Sequence, residues 1–243
     1  NDMLKALVDT LKATGRWQNT VLLFTSDNGY QFGNHGLYQK SSPYEESTRV
    51  PFVMGGGKNI ALKRNWVSGH NAVNVDIAPT LLSLAGVDIP DMMSGDNLMP
   101  VIGVGSGAEP DEAVLLEYDG PGMVLDVFPM WMRFHLQVLP AYMLDYPPYR
   151  AVINKMSFQG REVRFKYIEW IRNPKRYRRN SRRLDSQQEI EQLWKQMKKE
   201  YELYDLERDP YELDNLLYYQ PDTYSEVREH LKRRLYQFYT PGR

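Results

Sequence analysis

The sequence predicts an α/β domain followed by a smaller region built on an antiparallel sheet. Three observations lead there. A helical stripe runs directly into a short, wholly apolar strand. A Gly- and Pro-rich stretch interrupts the chain at residues 98–111. Beyond it, a candidate strand alternates apolar with polar residues.

Met3, Leu4, Leu7, Val8 and Leu11 fall on one helical face, and Gly15 is placed to stop the helix. Val21-Leu22-Leu23-Phe24-Thr25 follows as a continuous apolar strand, the texture of a covered parallel sheet. A second strand is expected over Val50-Pro51-Phe52-Val53-Met54, closed by Gly55-Gly56-Gly57. Asp76 is positioned to cap a helix carrying Pro79 in its first turn, Leu81, Leu82, Leu84 and Ala85 on its apolar face, and Gly86 at its end. After the boundary, Val114–Tyr118 and Arg164–Trp170 read as strands, the second with one exposed face, while residues 121–149 read as a long loop region. Ser186 and Glu189 make a capping-box pattern ahead of Ile190, Leu193, Trp194, Met197 and Tyr201 at helical spacing. Val227, Leu231, Leu235 and Phe238 mark a last helix. The division expected is residues 1–110 and 111–243.

At 243 residues and 42% hydrophobic, the chain can bury one large core or two smaller ones. With 30 basic against 31 acidic side chains, it has no global positive field, which argues against nucleic acid as a partner. No apolar run approaches the length of a membrane span. Cysteine is absent, which excludes disulfides, zinc-thiolate sites and a cysteine nucleophile within these residues.

Chemistry concentrates between Thr25 and Phe52. The apolar strand ends in Ser26-Asp27-Asn28-Gly29, which puts a carboxylate and an amide oxygen at a strand's C-terminal end, where α/β sheets collect ligands. Alone this is a common turn. Oxygen donors of this kind suit a hard cation such as calcium, and Gly29 permits a sharp turn. Gly33-Asn34-His35-Gly36, Lys40 and Tyr44-Glu45-Glu46 follow closely. A lysine gives a compact positive charge to sulfate or phosphate oxygens, and a histidine can protonate a leaving oxygen.

The run from Phe24 to Phe52 resembles the second signature region of the sulfatases, within the alkaline-phosphatase superfamily. Two later segments resemble the same family in the same order. One is Val75-Asp76-Ile77-Ala78-Pro79-Thr80-Leu81-Leu82 followed by Ala85-Gly86. The other is Glu202-Leu203-Tyr204-Asp205-Leu206 through Asp209-Pro210 to Asn215-Leu216. The resemblance implies an alkaline-phosphatase-like sandwich, here the C-terminal part of a catalytic domain, plus a small α+β subdomain. It implies a sulfuric ester hydrolase that uses calcium, with Asp27 and Asn28 as metal ligands, Lys40 on the sulfate and His35 as a second catalytic residue. Sulfate esters, including those of sulfated polysaccharides, are the implied partners, and export, the periplasm or the lysosome the implied location. The family's Asp-Asp metal pair and Cys-x-Pro-x-Arg nucleophile motif are not in this sequence, so the resemblance places them in an N-terminal half upstream of Asn1. The isolated chain is expected to be inactive. Two alternatives stand beside this reading: a phosphodiesterase or phosphonate monoester hydrolase of the same superfamily, and a non-catalytic polyanion-binding remnant.

His70 precedes the Asp76 helix and is a candidate for substrate binding at the same edge, although loop histidines are more often structural. Arg49 is placed to pair with Glu45 or Glu46. His135 has no neighbour that suggests a role. Arg172, Lys175, Arg176, Arg178, Arg179, Arg182 and Arg183 form a basic run. Such runs are usually solvated, and the sharper reading makes Arg178 and Arg179 contacts for a polyanionic substrate.

Overall fold

A computed structural model describes residues 2–105, 110, 112–119, 146–173, 177, 180, 181, 184 and 186–240. In chain order the elements are α1 (Asp2–Ala13), β1 (Val21–Phe24), β2 (Gln31–Phe32), β3 (Tyr38–Gln39), α2 (Glu45–Thr48), β4 (Val53–Gly56), α3 (Ile77–Leu84) and α4 (Met99–Ile102). Then come β5 (Val114–Tyr118), β6 (Tyr149–Phe158), β7 (Arg161–Ile171), α5 (Gln187–Gln196), β8 (Lys199–Asp205), α6 (Leu216–Tyr219) and α7 (Ser225–Gln237). Two compact units divide the chain. One comprises Asn1–Asp27 and Val50–Glu112, the other Asn28–Arg49 and Ala113–Arg243.

In the first unit, α1 ends where Gly15 takes a φ of +69°, as its sequence anticipates. The expected covered parallel sheet is not what forms. β1 pairs antiparallel with β4, Val21 opposite Gly56 and Phe24 opposite Val53, in a two-stranded ladder. With no third strand beside them among the described residues, Phe24 and Val53 stand exposed. The glycines after β4 have a steric reason: a Cβ on Gly57 would sit 2.0 Å from the carbonyl oxygen of Trp17. α3 starts at Ile77, after a single 3-10 turn over Asn74–Asp76. Asp76 stands at its N-cap, but its buried carboxylate accepts from the N–H groups of Val73 (2.9 Å) and Asp96 (2.8 Å) and so ties two loops together. Gly86, at φ +69°, ends the helix.

The second unit is built on an antiparallel sheet in the order β5-β6-β7-β8. β7 is central and buried on both faces, where the alternation of its sequence predicts one exposed face. Strand parity explains the difference. On one face, Phe165 and Tyr167 join Val152, Val163 and Leu203 against Val227, Leu231 and Leu235 of α7. Glu169 shares that face and is satisfied there, accepting from the Tyr167 hydroxyl (3.0 Å), Trp194 Nε1 (3.1 Å) and the Tyr236 hydroxyl (2.9 Å). The opposite face carries Lys166, Ile168 and Trp170, and on it the segment 43–45 is seated. The charges that look like a solvated face are therefore buried and paired.

The N-cap half of the expected capping box forms, with Ser186 Oγ accepting from Glu189 N at 3.3 Å, while the Glu189 carboxylate accepts from the Ser186 hydroxyl (2.9 Å) rather than from its backbone N–H. The helix it starts ends at Gln196, with Met197 already extended. Tyr201, which continues the helical spacing, instead lies on β8 opposite Glu169.

Candidate functional site

The second unit begins at Asn28, and its first residues fold back on themselves. Gly29 N–H donates to Ser47 O at 2.9 Å and closes the base of the loop. Glycine is required there because a Cβ would lie 2.1 Å from Glu46 O. This is a close backbone approach rather than the sharp turn its position suggests. β2 and β3 form a small hairpin with Phe32 opposite Tyr38. By parity Tyr30, Phe32 and Tyr38 share its outer face, where all three rings are exposed and the first two lie 4.6 Å apart. Gln31 points the other way and is fully buried, and the Tyr146 hydroxyl donates to Tyr38 O at 2.7 Å.

Lys40 follows the hairpin directly. Its Nζ donates to Asn28 Oδ1 at 3.0 Å, so the structure brings two of the sequence-predicted residues together. Asn28 Nδ2 donates to Gly29 O at 2.7 Å, which fixes the amide with its oxygen toward the lysine. The residues on either side, Gln39 (φ +75°) and Ser41 (φ +82°), both hold left-handed backbone. Non-glycine residues there cost about 1–3 kcal/mol each and persist only where surroundings enforce them, a pattern that concentrates at functional sites. One enforcing contact is Ser41 N–H donating to Ser47 Oγ at 3.0 Å.

His35 has contacts of its own. It sits at φ +55° between Gly33 and Gly36, its ring stacked on Tyr44 with centroids 3.9 Å apart. Nε2 lies 3.7 Å from Glu46 Oε2, and Asn34 Nδ2 donates to Glu46 Oε1 at 3.2 Å. Glu46 thus gathers the Gly-Asn-His-Gly turn. Arg49 Nη1, on an exposed side chain, lies 3.7 Å from Oε2 of the largely buried Glu45, the pairing its sequence position suggests.

Asp27 and His70 belong to the first unit. Asn74 Nδ2 donates to the Asp27 carbonyl at 3.0 Å, and Ser26 Oγ donates to Asp27 Oδ1 at 3.4 Å. The His70 side chain is buried with Nδ1 3.5 Å from Glu112 Oε1. Arg178, Arg179 and His135 lie outside the described residues, as does most of the basic run; Arg172, at its start, places Nε 3.2 Å from Glu200 Oε1. Among the described residues no three His, Cys, Asp or Glu side chains cluster as a metal cage.

Three residues that motif reading passed over hold the loop. The Tyr44 hydroxyl donates to Glu202 Oε2 at 3.1 Å, Glu45 N–H donates to Glu212 Oε2 at 2.6 Å, and Lys166 Nζ reaches Glu45 Oε1 at 2.8 Å. Burial raises the carboxyls of both Glu202 and Glu212 above the usual range, Glu212 to about 7 even with Lys166 beside it. A signal for Glu202 was in the sequence, since it opens the C-terminal motif, whereas Glu212 falls in the gap between that motif's later parts. Their target was not legible, because pairing over more than a hundred residues leaves no local pattern.

At the level of the site, this is an α/β chain with a polar loop gathered around a lysine. At the level of fold, the chain superposes on a protein solved in complex with its substrate D-glucosamine-2-N,6-O-disulfate. The TM-score is 0.65 at 23% identity, covering 98% of this chain and 37% of that one. Residues 1–87 match the Sulfatase family model. An N-acetylglucosamine-6-O-sulfatase of Bacteroides thetaiotaomicron is 38% identical over 96 residues, 40% of this chain and 17% of that protein. The human N-acetylglucosamine-6-sulfatase is 36% identical over 124 residues, 50% of this chain and 22% of that protein. The chain thus spans about a fifth of the length of these curated relatives.

Proposed function

We propose that this chain supplies the lysine side of an anion site in a sulfuric ester hydrolase. The observation that carries the reading is the 3.0 Å bond from Lys40 Nζ to Asn28 Oδ1, set between two strained residues inside the sulfatase-matched segment. An ammonium is a compact positive charge that sulfate oxygens can accept from. Lys40 then neutralises charge on the transferring group, which is where electrostatic stabilisation acts most strongly.

Asp27 and Asn28 are consecutive in the chain and carry the hard oxygen donors suited to a divalent cation, calcium in the finer reading. Carboxylate and amide oxygens are the donors such a cation takes, so the chemistry of the donors fits. Two side chains do not fill a calcium shell, and the remaining ligands belong to other parts of the protein. When bound, the cation would polarise sulfate oxygens. His35, stacked on Tyr44 beside Glu46, serves this reading by shaping the loop. The exposed rings of Tyr30, Phe32 and Tyr38 support a carbohydrate as the esterified alcohol, since sugar rings pack against aromatic faces. Among the described residues no helix is long and apolar enough to cross a membrane, and export or delivery to the periplasm or lysosome is part of the same proposal.

The test uses the protein in which this chain occurs together with a nucleophile-bearing segment. Release of sulfate from N-acetylglucosamine 6-sulfate should exceed hydrolysis of a phosphonate monoester, and Lys40→Ala should lower kcat/KM by about 100-fold or more. Preference for the phosphonate ester would transfer the assignment to that activity. Turnover unaffected by Lys40→Ala would remove the lysine from the site.

A further inference from the structure

Lys166 lies on the central strand with its side chain fully buried. An ammonium has three N–H donors and no acceptor, and burying one is costly unless each donor is answered. Here Pro43 O accepts a hydrogen bond at 2.9 Å, and two carboxylate oxygens, Glu45 Oε1 and Glu212 Oε1, lie at ion-pair distance, each 2.8 Å away. The other oxygen of Glu212, Oε2, accepts from the backbone N–H of Glu45 at 2.6 Å. Glu212 itself takes φ +53°, a left-handed conformation in a non-glycine residue. Every arm of this network ends on residues 43–45, a few positions after Lys40.

We propose that Lys166 and Glu212 are positioning residues that seat residues 43–45 and thereby hold Lys40 beside Asn28. Neither touches the substrate. The inference rests on the reading that Lys40 contacts the anion, but the seat can be tested without it. A buried ion pair kept only for packing is often replaceable by apolar residues of similar volume. This network instead spends its contacts on the backbone and first side chain of a single loop. Arginine is no substitute for Lys166, because a planar guanidinium cannot aim three donors from one nitrogen. The seat is also charge-sensitive. One ammonium faces the carboxylates of Glu45 and Glu212, with Tyr44, Glu202 and Tyr204 as the next titratable groups on that face. Removing Lys166 alone leaves two carboxylates confronting each other out of water.

The experiment compares Lys166→Met, Glu212→Gln, the double variant and Lys40→Ala in the same nucleophile-containing protein. Two readouts are taken: kcat and KM on a sulfate ester, and amide exchange at Glu45 and Ser47. Lys166→Met should lower kcat/KM by about 100-fold, the scale set by misplacing a reacting group by an ångström. It should speed exchange at Glu45 while β6 and β7 keep their protection. The double variant should recover about tenfold, because the glutamine amide can donate where the ammonium did. If Lys166→Met does not fold, Glu212→Gln carries the test, since it keeps side-chain size and the acceptor for Glu45 N–H while setting an amide against the ammonium. A folded Lys166→Met with wild-type kcat/KM and unchanged exchange at Glu45 would overturn the inference, as would a double variant no better than the single. If Lys40→Ala leaves turnover intact, the functional reading fails, and exchange at Glu45 then decides the seat alone.

Discussion

Two antiparallel pairings in this chain bury their residues very differently. In the first unit, β1 and β4 form a two-stranded ladder whose Phe24 and Val53 are exposed, beside an α1 that contributes no buried residue. In the second, β6 and β7 lie between β5 and β8, and β7 is covered on one face by α7 and on the other by the segment 43–45. The chemistry of the strands does not explain the contrast, since Val-Leu-Leu-Phe is more apolar than Phe-Lys-Tyr-Ile-Glu. Layering does. A ladder covered only in part gains less from its apolar side chains, whereas a strand covered twice can hold a lysine and a glutamate once they are paired.

The largest expected effect that would break this comparison comes from Phe165→Ala. It should lower unfolding stability by about 3–5 kcal/mol in urea titrations, while Leu7→Ala on α1 should stay within about 0.5 kcal/mol. Equal losses would mean the two units share one cooperative core. Next, Trp194→Phe removes one donor from the buried carboxylate of Glu169 and should cost about 1–3 kcal/mol in the same titration. A smaller change should follow pH. Glu202 and Glu212 have folded-state values raised by burial, so their protonated forms favour the folded unit. That contribution is full below about 4.5, the ordinary value, and is lost as pH rises through about 7. The urea midpoint of the second unit should therefore be higher at pH 5 than at pH 8, and Glu212→Gln should shrink the difference. A difference that Glu212→Gln leaves untouched would place the titration elsewhere. Smallest is Ser186→Ala, which should cost about 1 kcal/mol through the cap of α5 and leave the rest of the unit's exchange protection alone.

Much of the local structure was legible because its causes are local. Gly15 and Gly86 stop helices with positive φ, Ser186 and Glu189 cap α5, and Val227, Leu231 and Leu235 turn one face of α7 inward. What escaped depends on distant partners. Tyr201 keeps helical spacing from Trp194, yet pairing of Lys199–Asp205 with β7 draws it into a strand. β6 falls partly in a stretch that reads as loop, and its role appears only when β7 lies beside it. In the candidate site, residue types pointed to Asn28 and Lys40 one by one and not to the bond between them. They said nothing of Lys166, because a lysine in an alternating strand reads as solvated until its three acceptors arrive from residues 43, 45 and 212.

The bond from Gly29 N–H to Ser47 O turns everything between them into a tied ring. Rings of flexible chain grow expensive slowly, by about 0.6 kcal/mol for each doubling of length. The two halves of this ring therefore differ in evolvability. At the hairpin tip, Asn34 and His35 rest on Glu46 and Tyr44, so insertions lengthen the ring without touching a side-chain fastening only at Gly36 and Leu37. Between Lys40 and Glu46 the spacing is fixed by contacts at Ser41, Pro43, Tyr44 and Glu45, and one added residue would slide each of them off its partner. Length variation among sequences that share this loop should accordingly gather at the tip and stop short of Lys40, so that the outer edge of the site can be redrawn while its lysine keeps its address.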